Sequence, residues 1–328
     1  MRKEARTQAP CSPLPALRSL PSADTVYTAD WKARIHDYFF RGAQFAGAAE
    51  YWAFDFQRQW DKHRKAVGQE LRLVERLSHW MPSTMGTWCP GRRVLVMGSW
   101  LGAEAIAYAL CGAEVTAIDL DGEALRLSAE LAARYGTSIR TATMDAAATT
   151  LPDGYFDLVS CSQVLEHLPP DRQPALLAEM WRLCRPGGLL WLDTPNQLAP
   201  CDQHDTGLYF VHWLPRRLKT RLARWLGRDV PTSEPGFDFQ PVGLHYYISY
   251  FSLLRTLRKL GPLEVLSRYR GFADVAHYAA GRRREGRSGL LFPLKLAAMW
   301  AAMRVWNFNW LHDIRLVVRK TPVFSPPQ

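Results

Sequence analysis

The stretch RVLVMGSWLGAEAIAYALCGAEVTAIDLD, from Arg93 to Asp121, constrains the fold more than any other part of the chain. A run of β-forming residues enters a turn with glycines at 98 and 102, an alanine-rich helical run follows, and a second apolar run ends in acids. The order is strand, glycine turn, helix, strand, acid, which makes the two strands parallel neighbours joined by a crossover helix. Glycines at these places let backbone N–H groups approach a ligand and let the helix pack closely. Asp119, about 20 residues past the turn at the end of the second strand, can accept hydrogen bonds from both hydroxyls of a ribose. Together these features point to a nucleoside-containing cofactor. A dinucleotide site wants G-x-G-x-x-G, whereas this turn reads Gly98-Ser99-Trp100-Leu101-Gly102, so NAD is disfavoured.

The alternation continues downstream. Strands are expected at 94–97, 114–118, 138–143, 156–161 and 189–193, with helices at 103–110, 122–135 and 174–184, which forces a mostly parallel sheet covered on both faces. This α/β core is placed at 86–200. Ahead of it, aromatic and charged residues alternate at helical spacing from Trp31 to Trp80, so 29–85 is expected to be an N-terminal helical cap. Residues 1–28, broken by Pro10, Pro13, Pro15 and Pro21 and lacking an apolar signal-peptide run, are expected to be a disordered leader. Past Pro195 the pattern loosens into a substrate-side insertion at 201–262 with a helix at 250–260. Segment 263–328 should supply the last strands, around 263–267 and 314–318, flanking an apolar stretch at 290–311. A membrane span needs roughly 20 apolar residues. Pro293, Lys295, Arg304 and two asparagines favour a buried or interfacial helix there instead.

At 328 residues and 48% hydrophobic, the chain can bury a substantial core as one large domain or two. The net charge of +10 points toward phosphates, nucleic acid or an anionic membrane surface, or reflects an arginine-rich coding bias. Six cysteines without C-x-x-C spacing sit mostly in apolar runs as small hydrophobes, which fits a cytoplasmic location or the inner membrane surface.

Two further segments carry a resemblance: MDAAATTLPDGYFDLVSCSQVLEHLPP (144–170) and EMWRLCRPGGLLWLDTPN (179–196). They are similar to the motifs that follow the glycine turn in class I S-adenosylmethionine-dependent methyltransferases, over about residues 92–196. The resemblance implies a Rossmann-like α/β fold, with a seven-stranded mostly parallel sheet, helices on both faces, the N-terminal helical cap and inserted C-terminal helices. It implies S-adenosylmethionine as cofactor, with Gly98, Ser99, Trp100 and Gly102 at its methionine and ribose part. Asp119 and Leu120 would lie at the ribose, Met144 and Asp145 at the adenine, and Ser162 and Gln163 beside the methionine. Arg185-Pro186-Gly187-Gly188 would be the turn before the fifth strand, and Asp157 a structural residue. The chain departs from the pattern at Val96, where the family has an acid, and at Trp100, where it has a glycine. Asp119 could instead cap the next helix, a role for which Asp121 is better placed.

Methyl transfer needs an acceptor held near attack geometry, and a hydroxyl acceptor gains from a general base. In this fold such groups come from loops at the carboxyl ends of strands, which singles out Glu166, His167 and the 196–212 segment. Val164-Leu165-Glu166-His167-Leu168 is similar to a segment of ubiquinone-biosynthesis O-methyltransferases, where two acids and a histidine accompany a divalent cation. Here Gln163 stands at the first acid, and an amide, a carboxylate and an imidazole make a poor magnesium site, so no metal is expected. His204 is favoured over His212 as base because it lies nearer the strand end. A basic helix follows, with Leu214, Leu218, Leu222 and Trp225 on one face and Arg216, Arg217, Lys219, Arg221 and Arg224 around it. It either packs on the core or lies on an anionic bilayer, in which case the acceptor is lipid-linked. The expected activity is O-methylation of a small-molecule, glycan or lipid-linked acceptor. RNA methylation and non-catalytic binding through the aromatic cap remain the alternatives, with nucleic acid the less favoured partner.

Overall fold

The computed structural model describes residues 20–41, 49–78, 81, 83, 85–202, 204–227, 245–267, 273–284, 286, 289–307 and 312–322. Its strands are β1 (Arg93–Met97), β2 (Glu114–Asp119), β3 (Arg140–Thr143), β4 (Phe156–Ser162), β5 (Cys184–Pro195), β6 (Leu263–Val265) and β7 (Asp313–Lys320). They form one seven-stranded sheet in the order β3-β2-β1-β4-β5-β7-β6. β1, β2 and β3 pair parallel, as do β4 and β5, while β7 runs antiparallel to β5 and β6. The chain divides into two compact units, Met1–Gly42 with Ala49–Asp145, and Ala43–Ala48 with Ala146–Gln328.

The first unit holds α1 (Ala23–Val26), α2 (Ala29–Arg41), α3 (Ala49–Leu77), α4 (Met85–Trp88), α5 (Ala103–Leu110) and α6 (Gly122–Arg134) along with β1–β3. β1 is buried from Val94 to Met97, the continuous apolar run of a strand covered on both faces. Asp121 caps α6, its carboxylate accepting from the N–H groups of Glu123 and Ala124, so the capping role does not fall to Asp119. The helical segment ahead of the core buries Trp31, Tyr38, Phe39 and Trp60. These rings therefore serve the interior rather than an outside partner. The leader expected through residue 28 is corrected here: α1 forms, and Val26 and Tyr27 are buried, with Tyr27 packed edge-on against Trp60. Apolar burial at two adjacent residues outweighed the proline punctuation just before them. Residues 1–19 of that leader lie outside the described residues.

The second unit contains α7 (Gln173–Leu183), α8 (Arg216–Trp225), α9 (Tyr250–Leu260), α10 (Ala273–Arg284) and α11 (Phe292–Trp306) with β4–β7. β5 starts at Cys184, five residues earlier than expected, because the Arg-Pro-Gly-Gly run is a bulge inside the strand and not a turn before it. Phe156 pairs Cys184 while Leu158 pairs Leu189. Gly188 is required there, since a Cβ would sit 2.9 Å from the Arg185 carbonyl and 3.1 Å from that of Asp157. Asp157 is structural, bonded to Arg185 Nε at 2.7 Å. Of the two readings left open for α8, its leucine and tryptophan face is not the one packed on the core: the buried residues are Lys219 and Ala223, while Leu214, Leu218 and Trp225 are exposed. No helix among the described residues is long and apolar enough to cross a membrane.

Candidate active site

The glycine turn of the first unit is built by backbone hydrogen bonds. The N–H groups of Gly98 and Ser99 both reach the Ile118 carbonyl of β2, at 2.9 and 3.0 Å, and Gly102 N–H reaches Ser99 O at 2.8 Å. Gly98 and Gly102 take φ of 69° and 80°, left-handed conformations that glycine adopts without cost. A Cβ on Gly102 would lie 2.5 Å from Ser128 Cβ, so this glycine also sets the closeness of α5 to α6. Asp119 ends β2 and anchors the loop: Oδ2 accepts from Trp100 N–H at 2.7 Å and Oδ1 from Asp121 N–H at 3.0 Å. Burial raises its pKa, and those two N–H donors pull the other way. A carboxylate offers about four acceptor positions, more than these backbone donors fill, which leaves room for a hydroxyl. Met144 joins the group through its N–H to Asp119 O at 2.9 Å, with Asp145 next along the chain. Ser99 Oγ is buried with no partner among the described residues, and Leu120 beside Asp119 is exposed.

Trp100 has φ 44°, the only non-glycine residue with positive φ in this turn. Its indole Nε1 donates to Tyr38 Oη at 2.7 Å, Tyr38 donates to Asp121 at 2.7 Å, and Phe39 meets the ring edge-on. The side chain is thus held by α2.

The second unit gathers a different kind of site. Ser162 and Gln163 close β4, Ser162 Oγ accepting from Trp191 Nε1 at 3.0 Å. Gln163, at φ 56°, donates from Nε2 to Asp193 at 3.3 Å and faces His204 Nε2 with Oε1 at 3.1 Å. Glu166 follows in a short 3-10 turn and is fully buried. Its Oε2 accepts from Thr194, whereas Oε1 has no hydrogen-bond partner among the described residues and lies 3.9 Å from His204 Nε2. Burial pushes its pKa up to about 8. His204 Nδ1 is 3.8 Å from Asp205 Oδ1, an ion-pair rather than a hydrogen-bond distance. Burial lowers the His204 pKa, but Asp205 and Glu166 outweigh it and leave the group raised. Asp205 is lowered, as His204, His245 and Lys219 overcome its burial. A cavity of about 280 Å³ opens here, lined by Gln163, Asn196, Cys201, His204, Tyr247 and Asp313 among others.

Residues 95–192 match the methyltransferase domain family. The ubiquinone biosynthesis O-methyltransferase of Xanthomonas campestris is 36% identical over 110 residues, 33% of this chain and 45% of that protein, so the chain spans less than half of its length. A ubiquinone/menaquinone biosynthesis C-methyltransferase of Cupriavidus metallidurans is 27% identical over 198 residues, 59% of this chain and 76% of that protein. The ubiquinone biosynthesis O-methyltransferase of Bordetella bronchiseptica is 32% identical over 190 residues, 52% of this chain and 75% of that protein. This chain belongs to the class I S-adenosylmethionine-dependent methyltransferases. Its methyl donor is S-adenosylmethionine, and the first unit fits a nucleoside through the orphaned Ser99 Oγ, the open positions of Asp119 and the glycine backbone.

A divalent cation fits this methyltransferase poorly. Of Gln163, Glu166 and His167, the histidine packs its ring edge-on against His245 at 4.7 Å. His204, Asp205 and His245 do bring donor atoms within 4.8 Å of one another. However, Asp205 Oδ1 and His245 Nδ1 are 2.5 Å apart, a hydrogen-bond spacing, and the second Asp205 oxygen is held by Lys219. Two ligands each about 2.1 Å from one tetrahedral zinc would be about 3.4 Å apart. His212 meets the cluster through its ring, 5.3 Å from that of Tyr247, while its Nε2 lies 3.1 Å from the Gln197 carbonyl and burial lowers its pKa. Lys219, His245, Tyr247 and Asp313 were not singled out from sequence for this cluster, and no motif marks them. The available signal for Lys219 was a lone lysine among the arginines of a basic helix.

Proposed function

We propose that this methyltransferase transfers the methyl group to an oxygen of a small-molecule or lipid-linked acceptor seated beside His204. Bound S-adenosylmethionine supplies the electrophilic methyl group, and the chain's residues hold it and prepare the acceptor. Gly98, Ser99, Trp100 and Gly102 take its methionine and ribose part, Asp119 accepts the ribose hydroxyls with Leu120 beside it, and Met144 and Asp145 flank the adenine. Ser162 and Gln163 are assigned to the methionine end by the family resemblance.

The observation that carries the acceptor side is His204, a one-third exposed imidazole on a polar cavity with carboxylates on two sides. With Nδ1 turned to Asp205, Nε2 is left for an acceptor hydroxyl, in the place Gln163 Oε1 now takes. The neighbouring carboxylates raise the affinity of the imidazole for that proton, which favours an oxygen acceptor that must lose one. Glu166 is buried behind His204, its Oε1 3.9 Å from Nε2, and His167 supports the cluster by packing on His245. The relatives' names mention ubiquinone biosynthesis, which makes hydroxylated benzenoid rings the first acceptors to try.

The membrane side of the proposal rests on α8. Arg216, Arg217, Arg221 and Arg224 are exposed together with Leu218 at 49% and Trp225 at 81%, the make-up of a helix lying on an anionic bilayer. Radiolabelled S-adenosylmethionine with phenols, catechols, prenylated phenols, glycans and RNA tests the acceptor. Label should enter a hydroxylated ring, and His204→Gln should slow it by about a hundredfold or more while leaving S-adenosylhomocysteine binding intact. Label in RNA alone would overturn the reading. Flotation with anionic liposomes, lost when the four arginines are neutralised, tests the membrane contact.

A further inference from the structure

We propose that Lys219 and Asp205 are positioning residues for His204, so that the seating of α8 sets the orientation of that imidazole. The proposal rests on the reading of His204 as the base. Lys219 is the one basic residue of α8 that is buried, at 5% exposure. Its ammonium donates to Asp205 Oδ2 and stands 3.5 Å from Asp202 Oδ2. Asp202 is otherwise engaged, accepting from Thr206 Oγ1 at 2.8 Å and from Tyr247 Oη at 2.5 Å. Asp205 Oδ2 also accepts from the backbone N–H of His245 at 3.1 Å. A carboxylate gripped at one oxygen by an ammonium and an amide cannot turn, so its other oxygen stays between the two imidazoles. There it meets His245 Nδ1 at 2.5 Å and His204 Nδ1 at 3.8 Å.

Two physical points separate this role from mere support. Lys219 and Ala223 are the buried residues of α8, so little apolar burial fixes how the helix meets the cluster, and the Lys219–Asp205 contact is what ties it to His204's neighbour. A buried ion pair is also a weak source of net stability, because desolvating both charges offsets their attraction. What it supplies is a fixed geometry. Among the described residues, Glu166 after β4, Gln163, His245, Tyr247 and Asp313 of β7 also face His204, with Asn196 and His312 on the same cavity.

The test follows the His204 imidazole by NMR in tag-free, histidine-labelled full chain across pH, with its signal assigned by loss in His204→Gln. A lysine acting only as a nearby positive charge would, when neutralised, make the imidazolium easier to form and raise the His204 midpoint. A positioning lysine behaves oppositely: Lys219→Met frees Asp205 to turn away, and the midpoint falls by about one unit, as in Asp205→Asn. Lys219→Arg should restore it. The Lys219→Met/Asp205→Asn pair removes both charges, protects against misfolding from an unpaired acid, and should stay at the lowered midpoint. A rise, or no change, in folded Lys219→Met overturns the proposal. If methyl transfer survives His204→Gln while these shifts appear, the base assignment fails and the positioning stands.

Discussion

The two units build their candidate sites from different materials. In the first unit the groups proposed for the cofactor come from one continuous stretch, 98–121, with Met144 and Asp145 added, and most of the structural bonds run through the backbone. In the second unit Gln163, Glu166, Asp205, Lys219, His245 and Asp313 come from separate segments and meet through side chains. A backbone site depends on spacing and on where glycine is allowed. A side-chain site depends on tertiary assembly, where one misplaced partner leaves a buried charge uncompensated.

The sharpest way to break that comparison is Gly98→Trp. A side chain at φ 69° strains the backbone and fills the ligand face of the turn, so S-adenosylhomocysteine binding by calorimetry should vanish while α/β circular dichroism persists. Binding within tenfold of wild type would show that the cofactor does not use this turn. Asp119→Ala comes next. Losing two charge-assisted bonds to hydroxyls, each worth roughly 1.5 kcal/mol or more, should weaken binding about a hundredfold. An unchanged affinity would leave Asp119 as a loop anchor for Trp100 and Asp121 only.

Legibility follows the same division. β1, α5, β2 and Asp119 were readable because strand and helix periods, glycine placement and the acid spacing are all local. The start of β5 was not, since Pro-Gly-Gly has the chemistry of a turn and only the pairing of β4 shows it to be a bulge. Glu166, His167 and His204 were legible as strand-end candidates, but not their division of labour. His204 faces the cavity while His167 packs edge-on against His245, a residue no pattern marked. For α8 the leucine face was visible in the sequence and its direction was not, because the acids that claim Lys219 lie 14 and 17 residues away.

Glu166 gives a smaller effect, read through pH. Burial raises its folded pKa to about 8 from an ordinary value of 4.5. The folded state therefore holds a proton that the unfolded state releases, and stability from this group is full below about pH 4.5 and lost as pH rises through 8. Glu166→Gln removes that dependence. Its melting temperature should exceed wild type by several degrees at pH 9 and differ little at pH 5. Parallel curves at both pH values would mean that the carboxyl stays ionised, compensated by His204.

Trp100→Gly should have the smallest effect, because two consequences oppose each other. A non-glycine residue in the left-handed region costs about 1–2 kcal/mol, which glycine relieves. The substitution also removes the indole bond to Tyr38 and its contact with Phe39, together about 1–2 kcal/mol. Thermal stability should thus change by no more than a few degrees, and S-adenosylhomocysteine affinity should hold or improve, since the backbone N–H to Asp119 survives the change. A large loss of affinity would show that the indole itself meets the cofactor. Tyr38→Phe separates the cases, because it removes the indole's partner and leaves the ring in place. Weaker binding in Trp100→Gly but not in Tyr38→Phe would assign the loss to the ring and bring a side chain into a site otherwise built from backbone.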